Sequence, residues 1–479
     1  MVLSRSKPAS ILAFVVGIAM ASAGRGAPQW PDTELSGHVQ AWFDHLQGSE
    51  AEARAFLGAH FAPAALEQAP IEVRLERRRR LIESTGGLTP LEILASSESA
   101  MQVRVRNRDG EEPVAHFEAE PTPPHRILAV RLELGGPDGA PSGPTGPPLA
   151  LEEASRQIRS ALEEAAAAGS FSGAVLLAHE GKPLLRQAWG VADRATGAPL
   201  TPETRFNVAS IGKIPTRIAL AQLAQAGKLS LDDRLSTYLP DFPRAADITL
   251  DMLAEHRSGV GDFFNERYEA MDRSKLRHNR DYLELIRDQP LWFEPGSQRR
   301  YSNGGYVLLG EVIAKASGLD YYEYLQRNVF APAGMQSTAA LVEGDGTAGV
   351  ARGYTSEGAP AGAERDNVAT RPWRGSAAGG SYSTVDDLLA LDRALLGGRL
   401  CEPAWSAWVI GGARPDRGEV AAAGELEAPG FVFAGGAPGI SAEWQHEGVL
   451  TLIVLSNRDP QVTQPLARTL GGIVRRIQP

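Results

Sequence analysis

Residues Gly135 to Pro148 (GGPDGAPSGPTGPP) constrain this chain more than any other stretch. Proline lacks a backbone N–H and glycine has no side chain to bury, so a run of both propagates neither helix nor strand. The chain is therefore expected to fold as two units, 28–134 before the linker 135–148 and 149–479 after it. With 479 residues, 43% of them hydrophobic, each unit has enough apolar material for its own core.

In the first region, Val39, Trp42, Phe43 and Leu46 recur at helical spacing, as do Ala53, Phe56 and Leu57, and a charged helix is expected over Ile71 to Ile82. Leu91–Leu94, Met101–Val105, Val114–Ala119 and Ile127–Leu134 are rich in strand formers and separated by turn signals such as Asp109-Gly110. Helices followed by a small antiparallel sheet make a compact α+β module. The run Arg77-Arg78-Arg79-Arg80 invites an anionic partner. Glu72, Glu76 and Glu83 share its helix, so an exposed, salt-bridged surface is expected instead.

The second region opens with an Ala-rich helix, Leu151–Ala168, and then a hairpin, Ala174–His179 and Pro183–Gly190 about a turn at Glu180-Gly181-Lys182. Near its other end, Ile440–Gln445 and Val449–Leu455 read as a second hairpin about Glu447-Gly448. Strands at both ends, with mostly helical sequence between, imply one antiparallel sheet assembled from the two ends. The middle should supply packing helices and a helical subdomain.

Two segments carry residues suited to chemistry. Ser210-Ile211-Gly212-Lys213 begins a helical pattern that Gly227 stops. Residues three apart on a helix stand one above the other, so a lysine amine can reach a serine hydroxyl there. Serine is a poor nucleophile unless a base takes its proton, and lysine is a base near neutral pH only when desolvation or nearby positive charge lowers its pKa. Ser210 also sits at the positive end of the helix, where its N–H can face a developing oxyanion. The spacing alone means little, because Ser4 and Lys7 repeat it near the N-terminus. Tyr301-Ser302-Asn303 lies in a turn-rich loop before a helical pattern, Val307 to Ala316. A phenol among cations can move a proton and an amide can orient a carbonyl, although an Asn there can equally be a helix cap.

Phe206-Asn207-Val208-Ala209-Ser210-Ile211-Gly212-Lys213, Gly227-Lys228-Leu229-Ser230-Leu231-Asp232-Asp233 with Tyr238-Leu239-Pro240, His256-Arg257-Ser258-Gly259-Val260, Tyr301-Ser302-Asn303 and the Gly-rich turn in Ala377 to Leu389 occur in that order. Together they resemble the family of penicillin-binding proteins, class C β-lactamases and related esterases, over most of 150–479. The resemblance implies an α+β, β-lactamase/transpeptidase-like domain behind the small α+β domain. It implies that Ser210 forms an acyl-enzyme, that Lys213 and Tyr301 share the proton as base and then acid, and that Asn303 holds the substrate or the lysine. It implies no metal and no cofactor, and a structural role for His256. The first region resembles the cystatin-like or nuclear-transport-factor-like extensions of some exported hydrolases.

One element departs from the family pattern. A lysine or histidine is expected on a strand lining the site, and alignment on Phe433-Ala434-Gly435-Gly436-Ala437-Pro438-Gly439 puts Phe433 there. Phenylalanine neither carries charge nor donates a hydrogen bond. The Gly436 N–H could still complete an oxyanion hole with that of Ser210. What is lost is recognition of a substrate carboxylate. An esterase or amidase acting on small-molecule or peptidic substrates is therefore favoured over a β-lactamase. The alternatives are a catalytically weak or silent binding protein of the same fold and a penicillin-binding DD-peptidase.

Other features narrow the field. Arg5 and Lys7, the apolar run Ile11 to Met20 and Ala21-Ser22-Ala23 read as a signal peptide within 1–27, cleaved after Ala23 or Ala27, and hence a periplasmic or secreted protein. The apolar run is short for a bilayer span, so no integral membrane domain is expected after cleavage. The lone Cys401 forms no intramolecular disulfide and is expected to be inert. A net charge of -10 gives no reason to expect nucleic acid as a partner. Neither His-Glu-x-x-His nor Gly-x-Ser-x-Gly occurs.

Overall fold

The computed structural model describes residues 28–108, 113–133, 148–344, 349–360, 362–415 and 430–477. The expected signal peptide, the expected turn at Asp109-Gly110 and all of the expected linker except Pro148 lie outside the described residues. The chain divides into two compact units, 1–139 and 140–479. Among the described residues no helix is long and apolar enough to cross a membrane.

In the first unit, helices α1 (Glu34–Gln47), α2 (Glu50–His60), α3 (Pro63–Gln68) and α4 (Ile71–Thr85) precede strands β1 (Leu88–Ser96), β2 (Ala100–Asn107), β3 (Val114–Ala119) and β4 (Ile127–Glu133). The strands form one sheet in the order β1-β2-β3-β4, each pair antiparallel. Val39, Trp42 and Phe43 of α1 bury against Val103 and Phe117 of the sheet. One residue of the arginine run serves the packing of the unit. Arg78 donates from Nε to the His45 carbonyl at 3.0 Å and also bonds the Gly48 carbonyl, so it meets carbonyls at the end of α1. Glu72 pairs across to Arg54 of α2, with Nη2 to Oε2 at 2.9 Å.

The second unit is built on a five-stranded antiparallel sheet. Its helix α5 (Leu151–Ala167) leads into β5 (Gly173–His179) and β6 (Lys182–Trp189). After the helical middle, which holds α6 (Lys213–Gln225), α7 (Asn303–Ser317) and α8 (Val385–Leu396), the chain returns as β7 (Phe431–Ala437), β8 (Ile440–Glu447) and β9 (Leu450–Ser456), and ends in α9 (Pro460–Val474). The strand order is β7-β8-β9-β5-β6, so the two ends of the unit meet at the centre, with Ile453 opposite Leu176.

Both faces of this sheet are covered, which is why β5 and β9 are almost wholly apolar instead of alternating. Val175, Leu177, Leu452 and Val454 pack against Ile158 and Leu162 of α5 and Leu470 of α9. Ala174, Leu176, Ile453 and Leu455 face the larger core, which contains Ile218 and Leu220 of α6 and Leu388 of α8. Ile158 and Leu162 are four residues apart, one helical stripe directed at one face.

One polar cluster interrupts the larger core. Asp392 of α8, 2% exposed, accepts from Trp444 Nε1 at 2.9 Å and Thr451 Oγ1 at 3.1 Å and lies 3.2 Å from His446 Nδ1. The other ring nitrogen, His446 Nε2, faces the Gly448 carbonyl at 2.7 Å. Both nitrogens thus meet acceptors, which suits the doubly protonated imidazolium. Burial, the largest single influence, would lower the His446 pKa, but the Asp392 bond and charge, the Gly448 carbonyl and the Glu447 charge together outweigh it and the pKa is raised. With the folded pKa above the ordinary 6.5, this stabilisation is complete below pH 6.5 and fades as pH rises through the folded value. Asp392→Asn strands the buried cation and should cost on the order of 3 kcal/mol. In urea titrations the gap between native and variant should be widest below pH 6.5 and narrow above it; a gap independent of pH would mean that His446 is not charged in the fold.

Candidate active site

The turn that carries Ser210 is held from several sides. Asn207 Oδ1 accepts from the Ala209 N–H at 2.9 Å, the Val208 N–H donates to the Ser381 carbonyl at 2.9 Å, and the Gly380 N–H donates to the Ala209 carbonyl at 3.1 Å. Ala209 has a φ of 44°, a left-handed conformation that non-glycine residues seldom adopt. That bend starts a 3₁₀ turn, Ala209–Gly212, that runs straight into α6.

Two glycines press on this bend. A Cβ on Gly379, whose φ is 137°, would lie 2.3 Å from the Ala209 carbonyl oxygen. A Cβ on Gly435 of β7 would lie 2.5 Å from the Val208 carbonyl oxygen and 2.9 Å from the Ser210 nitrogen. Side chains at either place would push Ser210 away, so the close approach requires glycine.

Around Ser210 three expected residues converge. Its Oγ lies 2.7 Å from Tyr301 Oη and 3.4 Å from Lys213 Nζ. Lys213, 5% exposed, also donates to Asn303 Oδ1 at 2.7 Å and to the Ala378 carbonyl at 2.5 Å. Burial lowers its pKa to about 7, opposed by the nearby charge of Asp262. Tyr301 is 49% exposed, its hydroxyl meets Ser210, and its partial burial raises the phenol to about 12. The Lys213 Nζ lies 4.7 Å from the centre of the Tyr301 ring.

His256 braces this arrangement. Its ring centre is 4.6 Å from that of Tyr301, and its Nδ1 accepts from the Ser302 N–H at 3.2 Å. Burial and then the Lys213 charge lower its pKa to about 3, so it is neutral at ordinary pH. Ser302, not Asn303, caps α7, its Oγ accepting from the Gly305 N–H at 2.9 Å. That leaves the Asn303 amide free to face Lys213.

Ser210, Tyr301, Asn303 and Gly436 all line one cavity of about 410 Å³. Gly436 sits on the outer strand of its sheet, opposite Ser441, where half of the backbone N–H groups have no neighbouring strand to meet. Phe433 is not among the lining residues. Its ring packs instead on Phe431 at 4.8 Å and Trp444 at 5.5 Å, extending the aromatic core behind β7.

Other residues of the site are not apparent from sequence. Asp262 Oδ2 accepts from Asn303 Nδ2 at 2.8 Å, and Ala378 contributes only a carbonyl. Arg371 and Arg374 line the cavity, Arg371 paired with Glu343 and Arg374 donating to the Ala340 carbonyl at 2.9 Å and the Arg277 carbonyl at 3.2 Å. A single acid behind a glycine, as in Gly261-Asp262, looks like any turn residue. Backbone carbonyls leave no signature in side-chain identity at all.

This combination of a five-stranded sheet flanked by helices with a serine, lysine and tyrosine at one cavity defines a class, the β-lactamase/transpeptidase-like proteins. Residues 158–468 match the β-lactamase family, and the chain belongs to it. Penicillin-binding protein 4* of Bacillus subtilis (strain 168) is 34% identical over 170 residues, covering 35% of this chain and 38% of that protein. Esterase EstB of Burkholderia gladioli is 34% identical over 180 residues, covering 34% of this chain and 46% of that one. The chain thus spans half or less of the length of these two relatives. The crystal structure of a penicillin binding protein from Bacillus halodurans superposes with a TM-score of 0.55 at 28% identity, covering 66% of this chain and 99% of that one.

Gly379→Ala should move the Ser210 turn without unfolding the protein. The expected result is a fall on the order of 10²-fold in the rate at which a fluorophosphonate labels Ser210, with the circular dichroism spectrum kept. Labelling at the native rate would mean that this contact does not hold the turn.

Proposed function

We propose that this protein is an exported serine hydrolase that cleaves an ester or amide bond through an acyl-enzyme on Ser210. The observation that carries the reading is the Ser210 Oγ, 2.7 Å from the Tyr301 hydroxyl and 3.4 Å from a buried Lys213 amine, at the wall of an open cavity. With its pKa near 7, Lys213 is partly neutral at physiological pH and can take the serine proton, whereas the phenol at about 12 is held as an acid.

In the first step the Ser210 oxygen bonds to the substrate carbonyl carbon, its proton goes to Lys213, and the carbonyl π electrons move to oxygen. The N–H groups of Ser210 and Gly436 are suited to bond that oxyanion. Collapse of the intermediate breaks the bond to the leaving group, which takes a proton from Tyr301, and Lys213 restores the phenol. Water then attacks the acyl carbon and gives its proton to Lys213. The acid leaves as Ser210 regains its proton.

The charges of the cavity favour an acyl donor without a carboxylate. Arg371 is paired with Glu343, Arg374 is tied to two carbonyls, and Glu269 is paired with Arg273 at 2.6 Å. Among the described lining residues, Glu357 is the charged side chain left uncommitted, and it is negative. A β-lactam or a D-Ala-D-Ala terminus would bring a carboxylate to a wall whose two arginines are already engaged, Arg371 by Glu343 and Arg374 by two carbonyls. Esterase or amidase activity therefore comes before β-lactamase or DD-peptidase activity. The expected signal peptide in 1–27 supports action in the periplasm or outside the cell.

The test is hydrolysis of p-nitrophenyl butyrate and nitrocefin by the native protein, Ser210→Ala and Lys213→Met. Butyrate turnover should exceed nitrocefin turnover, and Ser210→Ala should lose at least about 10³-fold. Activity should rise with pH through about 7, as Lys213 loses its proton. Undiminished turnover in Ser210→Ala would reject the nucleophile, and absence of both turnover and serine labelling would favour a binding protein. Among p-nitrophenyl esters of matched length, the monoester of adipate should be slower than those of hexanoate and 6-aminohexanoate; a faster adipate would reject the charge argument.

A further inference from the structure

We propose that Asp262 is a positioning residue that fixes which end of the Asn303 amide faces Lys213, and so aims the lysine lone pair at Ser210. The inference rests on the hydrolase reading above and adds to it a residue outside the resemblance.

Asp262 holds Asn303 twice through one oxygen. Oδ2 accepts from the side-chain Nδ2 at 2.8 Å and from the Asn303 backbone N–H at 3.3 Å. Its other oxygen, Oδ1, accepts from the Phe264 N–H at 3.1 Å, and its own carbonyl accepts from Gln289 Nε2 at 2.7 Å and Asn265 Nδ2 at 3.1 Å. The carboxylate is therefore anchored at both oxygens and the backbone. A carboxylate only accepts hydrogen bonds, so the amide must turn its NH₂ toward Asp262. The amide oxygen is then the end left for Lys213, 2.7 Å away.

That choice decides what the lysine can do. A neutral amine has two N–H bonds and one lone pair. The Asn303 oxygen and the Ala378 carbonyl, at 2.7 and 2.5 Å, take up two N–H groups. The remaining direction faces Ser210 Oγ at 3.4 Å, and in the neutral amine that direction holds the lone pair. Were the amide reversed, its NH₂ would donate to Lys213 and occupy the electron pair that must accept the serine proton. Asp262 excludes that arrangement.

Charge acts in the same place. The groups around Lys213 are Asp262, His256, Tyr301 and Tyr306, with Arg217 one turn along its own helix. Burial lowers His256 to about 3 and raises both phenols, so these three are neutral near pH 7, and Arg217 is positive. Asp262 is the negative charge acting on Lys213, and it opposes the effect of burial. Its removal should therefore lower the lysine pKa further.

Asp262→Ala and Asp262→Asn separate these effects in the full-length protein. Asp262→Ala frees the amide, and kcat for p-nitrophenyl butyrate should fall on the order of 10²-fold with KM changed less than about three-fold. Asp262→Asn can still accept from Asn303 through its amide oxygen. It should keep most of kcat, with the acidic limb of the pH profile moved to lower pH. Titration of the Lys213 ¹³Cε resonance gives the same shift without turnover. The proposal is overturned if Asp262→Ala keeps native kcat, if both variants lose kcat in step with melting temperature, or if the lysine titration in Asp262→Asn stays at its native position or moves up. If Ser210→Ala abolishes turnover while Asp262→Ala does not, only the positioning role fails. If Ser210→Ala is fully active, the hydrolase reading fails, and the lysine titration still decides the effect of Asp262.

Discussion

Removing a lysine amine from water is costly unless polar groups meet it, and burial shifts the balance toward the neutral form. Lys213 is in that position, with the Asn303 amide oxygen, the Ala378 carbonyl and the Ser210 hydroxyl as its hydrogen-bond partners among the described residues. Each partner comes from a different part of the second unit. The lysine and the serine share one helical turn, the amide stands at the start of α7, and the carbonyl belongs to the Gly-rich turn before α8. Much of the middle of the unit is organised so that these three meet around one nitrogen. The same burial that lowers the lysine pKa raises that of Tyr301, so a base and an acid arise side by side from one cause.

The sheet supplies the rigidity that such a site needs. Strands from both ends of the unit pair at its centre, and β7 lies at the outer edge with its Gly435 against the Ser210 turn. The Gly379 turn presses on the bend at Ala209, and that residue keeps a left-handed backbone conformation because its neighbours leave it little alternative. The nucleophile is thus held by backbone packing, which tolerates little movement, more than by its own side-chain bonds. Behind β7, Phe433 joins Phe431 and Trp444. The position where the family resemblance leads one to expect a cation has been given over to the core, and the cavity wall keeps no uncommitted positive side chain among its described residues.

Much of this was legible in the sequence. The apolar runs of β5 and β9, the helical stripe of α5 and the Gly-rich turn before α8 are local patterns, and local patterns follow from backbone sterics and the need to bury one face. Ser210 lies in the 3₁₀ turn that runs into α6 and Lys213 begins α6 three residues on, so their meeting is a matter of local pitch. Tyr301 and Asn303 were found through the order of segments along the chain, not through any spacing to Ser210. The arginine run of α4 was only half legible. Its charge was plain, but Arg78 spends its donors on carbonyls at the end of α1, which only the packing of two helices can arrange.

The sequence alone determined the α+β class and the closeness of the serine and lysine within one turn, and it gave reason to expect two units about a Gly/Pro-rich linker. Each of these depends on residues near one another in the chain, where distance is set by covalent geometry. Only the tertiary structure decided that Asp262 holds Asn303, that Ala378 offers its carbonyl, that Phe433 packs on Phe431 and Trp444 instead of lining the cavity and that both cavity arginines are already engaged. Those outcomes depend on which distant surfaces pack together. Hydrogen-bond partners and charge pairs follow from that packing, and residue type at a single position does not encode it.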